Sequence, residues 1–283
     1  MELQIKILPE DGRTSEQIIE HYILEKDLAN QLLNSQKEQR KHLYTDLYNQ
    51  LFQKITHHPQ ISRKMDVSAS QLEVQRKMNL VKRYLQADTI FLEVGPGDCQ
   101  FAFQVAQQVK KVFAVDVSQE ITRNSEVPPN FELIISDGCD IPADENSVSV
   151  AYSNQLMEHL HPEDAYEQLQ GLFRCLKTGG VYICITPNRL AGPHDISKYF
   201  DPVATGFHLR EYTNQELYDL FIKVGFSKIT TYGGGKGIYF KCPRFLTIGC
   251  EAILDRVPFS LRYRIGNWLP IRAILGVILV AQK

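Results

Sequence analysis

The sequence predicts an α/β fold in which a mostly parallel sheet carries helices on both faces. Two observations predict it. From residue 71 onward, short apolar runs of β type alternate with helical stretches, the pattern of repeated strand–helix–strand units. With 283 residues, 43% of them hydrophobic, the chain can also bury a sheet on both faces as one domain with additions.

Taken in order, residues 14–58 read as helical. Thr14 and Gln17 form a capping box, and Tyr44, Leu47, Tyr48, Leu51, Phe52 and Ile55 recur on one face. Pro59 stops the pattern. These are expected to be two packing helices that cover the sheet or a partner subunit, in preference to a pocket wall. Strands are predicted at Thr89–Val94, Lys111–Val115, Phe131–Ile135, Val148–Ser153 and Val181–Thr186. Helices are predicted at 101–109, at 162–176 with Pro162 in its first position and Glu163 and Asp164 in its first turn, and at 213–224. The last opens on the box Thr213/Glu216 and carries Leu217, Leu220, Phe221 and Val224 on one face.

Net charge is -2, from 31 Lys plus Arg against 33 Asp plus Glu. No global field would gather nucleic acid, and none is expected as a partner. The total hides an asymmetry: residues 84–235 hold 10 basic and 20 acidic side chains, and 236–272 hold 7 and 2. Six cysteines without a CxxC pair read as reduced, packed thiols. Residues 1–10 have no long apolar core of a leader, and the longest apolar run, 273–281, is too short to span a bilayer. A cytoplasmic location is the expectation.

The most informative stretch is Phe91 to Cys99, FLEVGPGDC. Two glycines one residue apart at the end of an apolar strand allow a sharp turn and close approach to a ligand. A helix follows, then a strand ending in Asp116, placed to accept from the hydroxyls of a ribose. Two cofactors compete, a dinucleotide and S-adenosylmethionine. The dinucleotide fingerprint needs glycine at position 100, where the chain has Gln100. Glu93 suits the cationic ammonium and sulfonium of the other cofactor, and Asp137 with Gly138 can meet an adenine edge.

Together, EVGPG at 93–97, Asp116, Asp137-Gly138, the SNQLMEHL segment, LFRCLKTGGVYICITPN and HLREYTNQELYDLFIKVGF resemble the class I, Rossmann-like S-adenosylmethionine-dependent methyltransferases, over roughly residues 75–233. The resemblance implies a seven-stranded sheet whose last strand is antiparallel, with Ser227–Tyr232 and Ile274–Lys283 as the sixth and seventh strands. It implies that Glu93, Gly95, Pro96 and Gly97 shape the methionine pocket. Asp116 with the adjoining Val117 would hold the ribose, Asp137 and Gly138 the adenine, and Ser153 and Asn154 would border the methyl. Residues 1–74 then form a helical N-terminal extension, 75–283 the S-adenosyl-L-methionine-binding domain, and 234–273 an inserted basic cap. Cys99 stands where the family often has a third glycine.

Methyl transfer needs alignment, plus a base when the nucleophile is a hydroxyl. The expected catalytic residues are His194, Asp195 and His208, with His159 beside them and Arg189 and Lys198 as orienting groups. The segment 155–159 resembles the metal-binding E-x-x-E-H of ubiquinone-pathway O-methyltransferases, but Gln155 replaces its first carboxylate, and no metal is expected. The function expected is methylation, by preference on oxygen, of a metabolite, sugar or lipid-linked acceptor. An NAD(P)-dependent oxidoreductase and a non-catalytic S-adenosylmethionine-binding protein are the rivals. A homodimer, and a peripheral membrane contact through the basic amphipathic segment 236–272, complete the expected partners.

Overall fold

The computed structural model describes residues 12–59, 67–117 and 126–283. The segment 1–10, read above as carrying no leader, lies outside the described residues. Two helices open the described chain, α1 (Ser15–Leu33) and α2 (Lys37–Lys54). The Thr14 hydroxyl accepts from the Gln17 amide while the Gln17 side chain takes the Thr14 amide, so the predicted capping box forms. Helix α3 (Val67–Val81) leads into strand β1 (Ile90–Val94), and helix α4 (Gln100–Ala106) joins it to β2 (Lys111–Asp116). Strands β3 (Phe131–Ile135) and β4 (Val148–Asn154) follow, then helix α5 (Pro162–Cys175), strand β5 (Leu176–Thr186) and helix α6 (Asn214–Val224).

Strand β5 starts five residues earlier than predicted. Leu176 pairs with Val148, and the register then slips so that Val181 meets Val150. Gly179, at φ +80°, and Gly180 permit that bulge; a Cβ on Gly180 would lie 2.9 Å from the Lys177 carbonyl.

The sheet continues through β6 (Lys228–Gly235) and β7 (Ile238–Lys241). Helices α7 (Arg244–Leu254), α8 (Phe259–Gly266) and α9 (Leu269–Leu275) precede the last strand, β8 (Val277–Gln282). Strand order is β3-β2-β1-β4-β5-β8-β6-β7, parallel from β3 to β5 and antiparallel from β8 outward. This corrects the expectation of seven strands to eight among the described residues. The extra strand β7 lies in the stretch read as the inserted basic cap, because Lys236 and Gly237 both adopt positive φ, 52° and 89°, and close a two-residue hairpin.

One core cluster packs α1, α2, α5 and α6 against one face of the sheet, and a second packs α3 and α4 against the other. The N-terminal helices are fastened by a buried ion pair. Arg40 of α2, 1% exposed, donates to both oxygens of Asp164 in α5 at 2.8 and 3.0 Å, and Tyr44 donates to the same carboxylate at 2.7 Å. The strand order reverses between β1 and β4, which opens a crevice at the carboxyl ends of the strands.

Candidate active site

In that crevice lies a cavity of ≈ 190 Å³, lined by the ends of β1 and β2 through Val94, Gly95, Val115, Asp116 and Val117, by Ser136 and Gly138 after β3, and by Tyr44 and Tyr48 of α2. Gly95 sits at φ +68° and donates to the Val115 carbonyl at 2.9 Å; a Cβ there would press on Leu156 at 3.1 Å. Gly97 is also at positive φ, and so is Cys99 at 59°, a conformation that favours glycine. The expected third glycine is thus replaced by a residue held in glycine's backbone geometry.

Glu93 is 2% exposed, and its Oε2 has no hydrogen-bond partner among the described residues. Burial, reinforced by Asp98 and Asp116 and opposed by Lys77, pushes its carboxyl up to about 8. An orphaned buried acceptor two residues before a glycine turn fits a cationic or hydrogen-bond-donating ligand group. At the other end, Gln168 donates to the Gly138 carbonyl at 2.9 Å, which fixes its amide and leaves its Oε1 without a partner. Asp137 faces its own turn: Oδ1 accepts from the Cys139 and Asp140 amides at 3.0 Å, and Oδ2 lies 3.7 Å from Lys41. Ser153 is fully buried with its hydroxyl 2.6 Å from the Tyr182 hydroxyl, and Asn154 is half-buried at the end of β4.

A second cavity, ≈ 160 Å³, adjoins the first and shares Tyr48 and His159 with it. His159, His194, Asp195 and His208, the four residues expected in catalysis, all line it. Their states differ. The His159 Nδ1 lies 3.0 Å from the Phe207 carbonyl, which can only accept, and 2.9 Å from the Tyr48 hydroxyl, which can donate or accept; with the Nδ1 proton assigned to the carbonyl, Nε2 keeps its lone pair. Burial, with the charge of His208, lowers this imidazole to about 3. Burial also disfavours the cation of His208, but the 2.7 Å bond to Glu211 and the charges of Glu158 and Asp195 outweigh it and push that ring up to about 9. One ring is therefore a neutral acceptor and its T-shaped neighbour, 4.8 Å away, a cation.

Asp195 accepts from the Ser197 amide at 3.1 Å, the Ser197 hydroxyl, and the Gly206 and His208 amides at 2.9 and 3.3 Å. It staples the loop 195–208. His194 is held by Glu211 through its amide at 2.8 Å and its ring at 3.2 Å. Lys198 lines the cavity, whereas Arg189 is committed to Glu216 and Asp255, and the His161 side chain caps α5.

The N-terminal helices supply residues that sequence reasoning assigned to packing. Tyr44 and Tyr48 close the first cavity; His21, Glu25, Phe52 and His58 line the second. His21 donates through Nε2 to Glu25 at 2.6 Å and accepts from Arg13 at 2.7 Å, and Glu25 accepts from the Phe207 amide. Burial lowers His58 to about 4. The available signal was the i,i+4 spacing of Tyr44/Tyr48 and His21/Glu25, which puts polar atoms on the faces the helices bury. Gln168 and Glu211 carried no comparable mark.

Two groups, His21/Glu25/His58 and Glu158/His159/His208, bring their donor atoms within 4.8 Å of one another. In the second, His208 is held protonated and offers no lone pair, and Gln155 is exposed with φ +55°. All six cysteines are free. No helix among the described residues is long and apolar enough to cross a membrane.

Residues 92–184 match the methyltransferase domain family. Among similar proteins are a probable S-adenosylmethionine-dependent methyltransferase of Mycolicibacterium smegmatis, 29% identical over 143 residues, and one of Mycobacterium tuberculosis, 28% identical over 143. Each alignment covers 50% of this chain, with 53% and 50% of the respective relative, so the chain spans about half the length of the curated relatives it matches. Among solved structures, the complex between the Haloferax volcanii Trm112 methyltransferase activator and its candidate methyltransferase contains a chain that superposes with TM-score 0.52 at 15% identity. It covers 75% of this chain and 90% of that one, a likeness of fold. The matched segment, the glycine turn, the acid that ends β2 and the strand order make this chain similar to the class I, Rossmann-like S-adenosylmethionine-dependent methyltransferases, whose cofactor is S-adenosyl-L-methionine.

Proposed function

We propose that the protein methylates a hydroxyl of a small-molecule acceptor, a metabolite, sugar or lipid-linked group, bound in the second cavity while S-adenosyl-L-methionine occupies the first. The observation that carries this reading is that Tyr48 and His159 line both cavities, so that an acceptor meets the cofactor at their seam. The cofactor supplies an activated methyl group for in-line substitution. Glu93, with the Gly95-Pro96-Gly97 turn, holds the methionine end, Asp116 and Val117 the ribose, and Asp137, Gly138 and Gln168 the adenine end. Ser153 supports the end of β4, where Asn154 borders the reacting region.

In this reading the free Nε2 of His159 takes the hydroxyl proton. A base of such low basicity acts by position, accepting the proton as the oxygen–carbon bond forms. The His208 imidazolium, flanked by His194 and kept in place by Glu211 and Asp195, orients the acceptor oxygen. In the N-terminal extension α2 walls both cavities and α1 the second, beside the 75–283 catalytic domain. The free cysteines fit a reducing, cytoplasmic setting.

Calorimetry tests the cofactor half: S-adenosylhomocysteine binds and NAD does not, and Asp116→Ala weakens binding by about 10- to 100-fold, the loss of a charge-assisted hydrogen bond. Turnover on an acceptor panel tests the other half. His159→Gln lowers it by about 100-fold while leaving S-adenosylhomocysteine affinity within two-fold, on the usual scale of general-base catalysis. Unchanged turnover in His159→Gln removes the base. Cofactor binding without turnover on any acceptor favours the non-catalytic reading.

A further inference from the structure

The segment 236–272 presents a surface that is apolar and basic at once. Helix α7 shows it most clearly. Thr247, Glu251 and Leu254 form its buried side, while Phe245 and Ile253, 73% and 66% exposed, lie on the opposite arc with Gly249 and Ala252. A surface helix ordinarily turns its apolar stripe inward and its acids outward. Here the order is inverted, because Glu251 is drawn inside by the side chains of Asn188 and Asn214 and by the amides of Asn214 and Gln215. Trp268 and Leu269 at the start of α9 and Ile238 at the hairpin are 63%, 73% and 75% exposed.

Charge distinguishes what covers this surface. Of its 7 basic and 2 acidic residues, both acids are already engaged, Glu251 as above and Asp255 with Arg189 at 2.9 Å. Lys236, Lys241, Arg244, Arg256, Arg264 and Arg272 are exposed. Large exposed apolar side chains among cations, with no acid left unengaged and a tryptophan at the margin, match the interfacial layer of an anionic bilayer, where rings and aliphatic chains enter the acyl boundary and cations meet phosphates.

We infer that residues 236–272 dock the protein on an anionic membrane surface, lying on it without crossing it. The docking face is fastened to the loop that walls the second cavity. Asn188 reaches Glu251 at 2.8 Å and the Leu275 carbonyl at 2.9 Å, and Asn267 holds the Ala191 carbonyl at 2.9 Å, three residues before His194. The inference concerns where the protein sits and stands independently of the methyl-transfer reading.

The test is sedimentation of the full chain with phosphatidylcholine vesicles, with and without about 30% phosphatidylserine. The protein sediments with the anionic vesicles, less so as salt rises, and stays in solution with the neutral ones. Combining Phe245→Ser, Ile253→Ser, Trp268→Ser and Leu269→Ser lowers the partition coefficient by about 100-fold or more, as does combining Lys241→Glu, Arg264→Glu and Arg272→Glu. S-adenosylhomocysteine affinity and circular dichroism unchanged in both variants show that they fold. Equal retention by neutral and anionic vesicles, or no retention by either, overturns the inference. So does a concentration-dependent dimer that the serine variant makes monomeric, since a second copy then covers the face.

Discussion

Arg40→Met is the perturbation that most directly joins the packing of this protein to its cofactor cavity. Arg40 makes four hydrogen bonds, two to Asp164, one to Glu163 and one to the Ser35 carbonyl. Asp164 is fully buried, and without Arg40 it keeps the Tyr44 hydroxyl but loses its cation. Breaking a buried pair from one side costs about 3–5 kcal/mol, because the remaining charge is stranded. The retained Tyr44 bond argues for the lower end, about 3 kcal/mol, which for a chain of this size is a melting temperature lower by about 6–10 °C. Because α2 carries Tyr44 and Tyr48 into the first cavity, S-adenosylhomocysteine affinity falls as well. Removing the stranded charge with Asp164→Leu in the Arg40→Met background restores most of both, and Tyr44 still accepts from the His161 amide at 2.8 Å. Differential scanning fluorimetry and calorimetry on the three variants read the cycle. If the double variant is no more stable than Arg40→Met, or the single variant melts within about 1 °C of the parent, the pair does not fasten α2 and the reasoning fails.

Protonation supplies two further expectations. The affinity for S-adenosylhomocysteine rises with pH up to about 8, as Glu93 ionises and faces the ligand ammonium, and Glu93→Gln removes that slope in calorimetry; a slope unchanged by the substitution would falsify the contact. Glu93 and Glu158, raised from 4.5 to about 8 and about 7, stabilise fully below 4.5 and lose that contribution as pH rises; with the histidines, this makes stability nearly flat from about pH 4.5 to 6.5 and falling above it. His208, raised from 6.5 to about 9, stabilises fully below 6.5, and its contribution is lost as pH rises through 9. His159 and His58, lowered to about 3 and 4, contribute fully above 6.5 and lose their contribution as pH falls toward those values. Urea midpoints across pH 4–10 check this, with His208→Gln expected to flatten the alkaline limb.

The parallel part of the sheet was legible in the sequence because each strand there is a local apolar run and each connection ends on a local signal. The capping boxes at Thr14/Gln17 and Thr213/Glu216 and the glycine turn at 95–97 are written within a few adjacent residues. Strand β7 and the early start of β5 were less legible, since both depend on glycines whose backbone freedom shows only once a partner strand is in place.

By itself, then, the sequence determined the α/β class, the cofactor turn and its acids, and a histidine-rich loop after β5. Tertiary structure alone decided that α2 walls both cavities and α1 the second, that His159 and Tyr48 sit at the seam, and that α7 turns its apolar arc outward. The physical reason is that these features depend on contacts between distant segments. Arg40 meets Asp164 across 124 positions and Glu25 meets the Phe207 amide across 182, distances over which periodicity carries no information. The protonation states follow the same rule, because a histidine becomes a base or a cation according to the carboxylates and carbonyls that folding brings beside it.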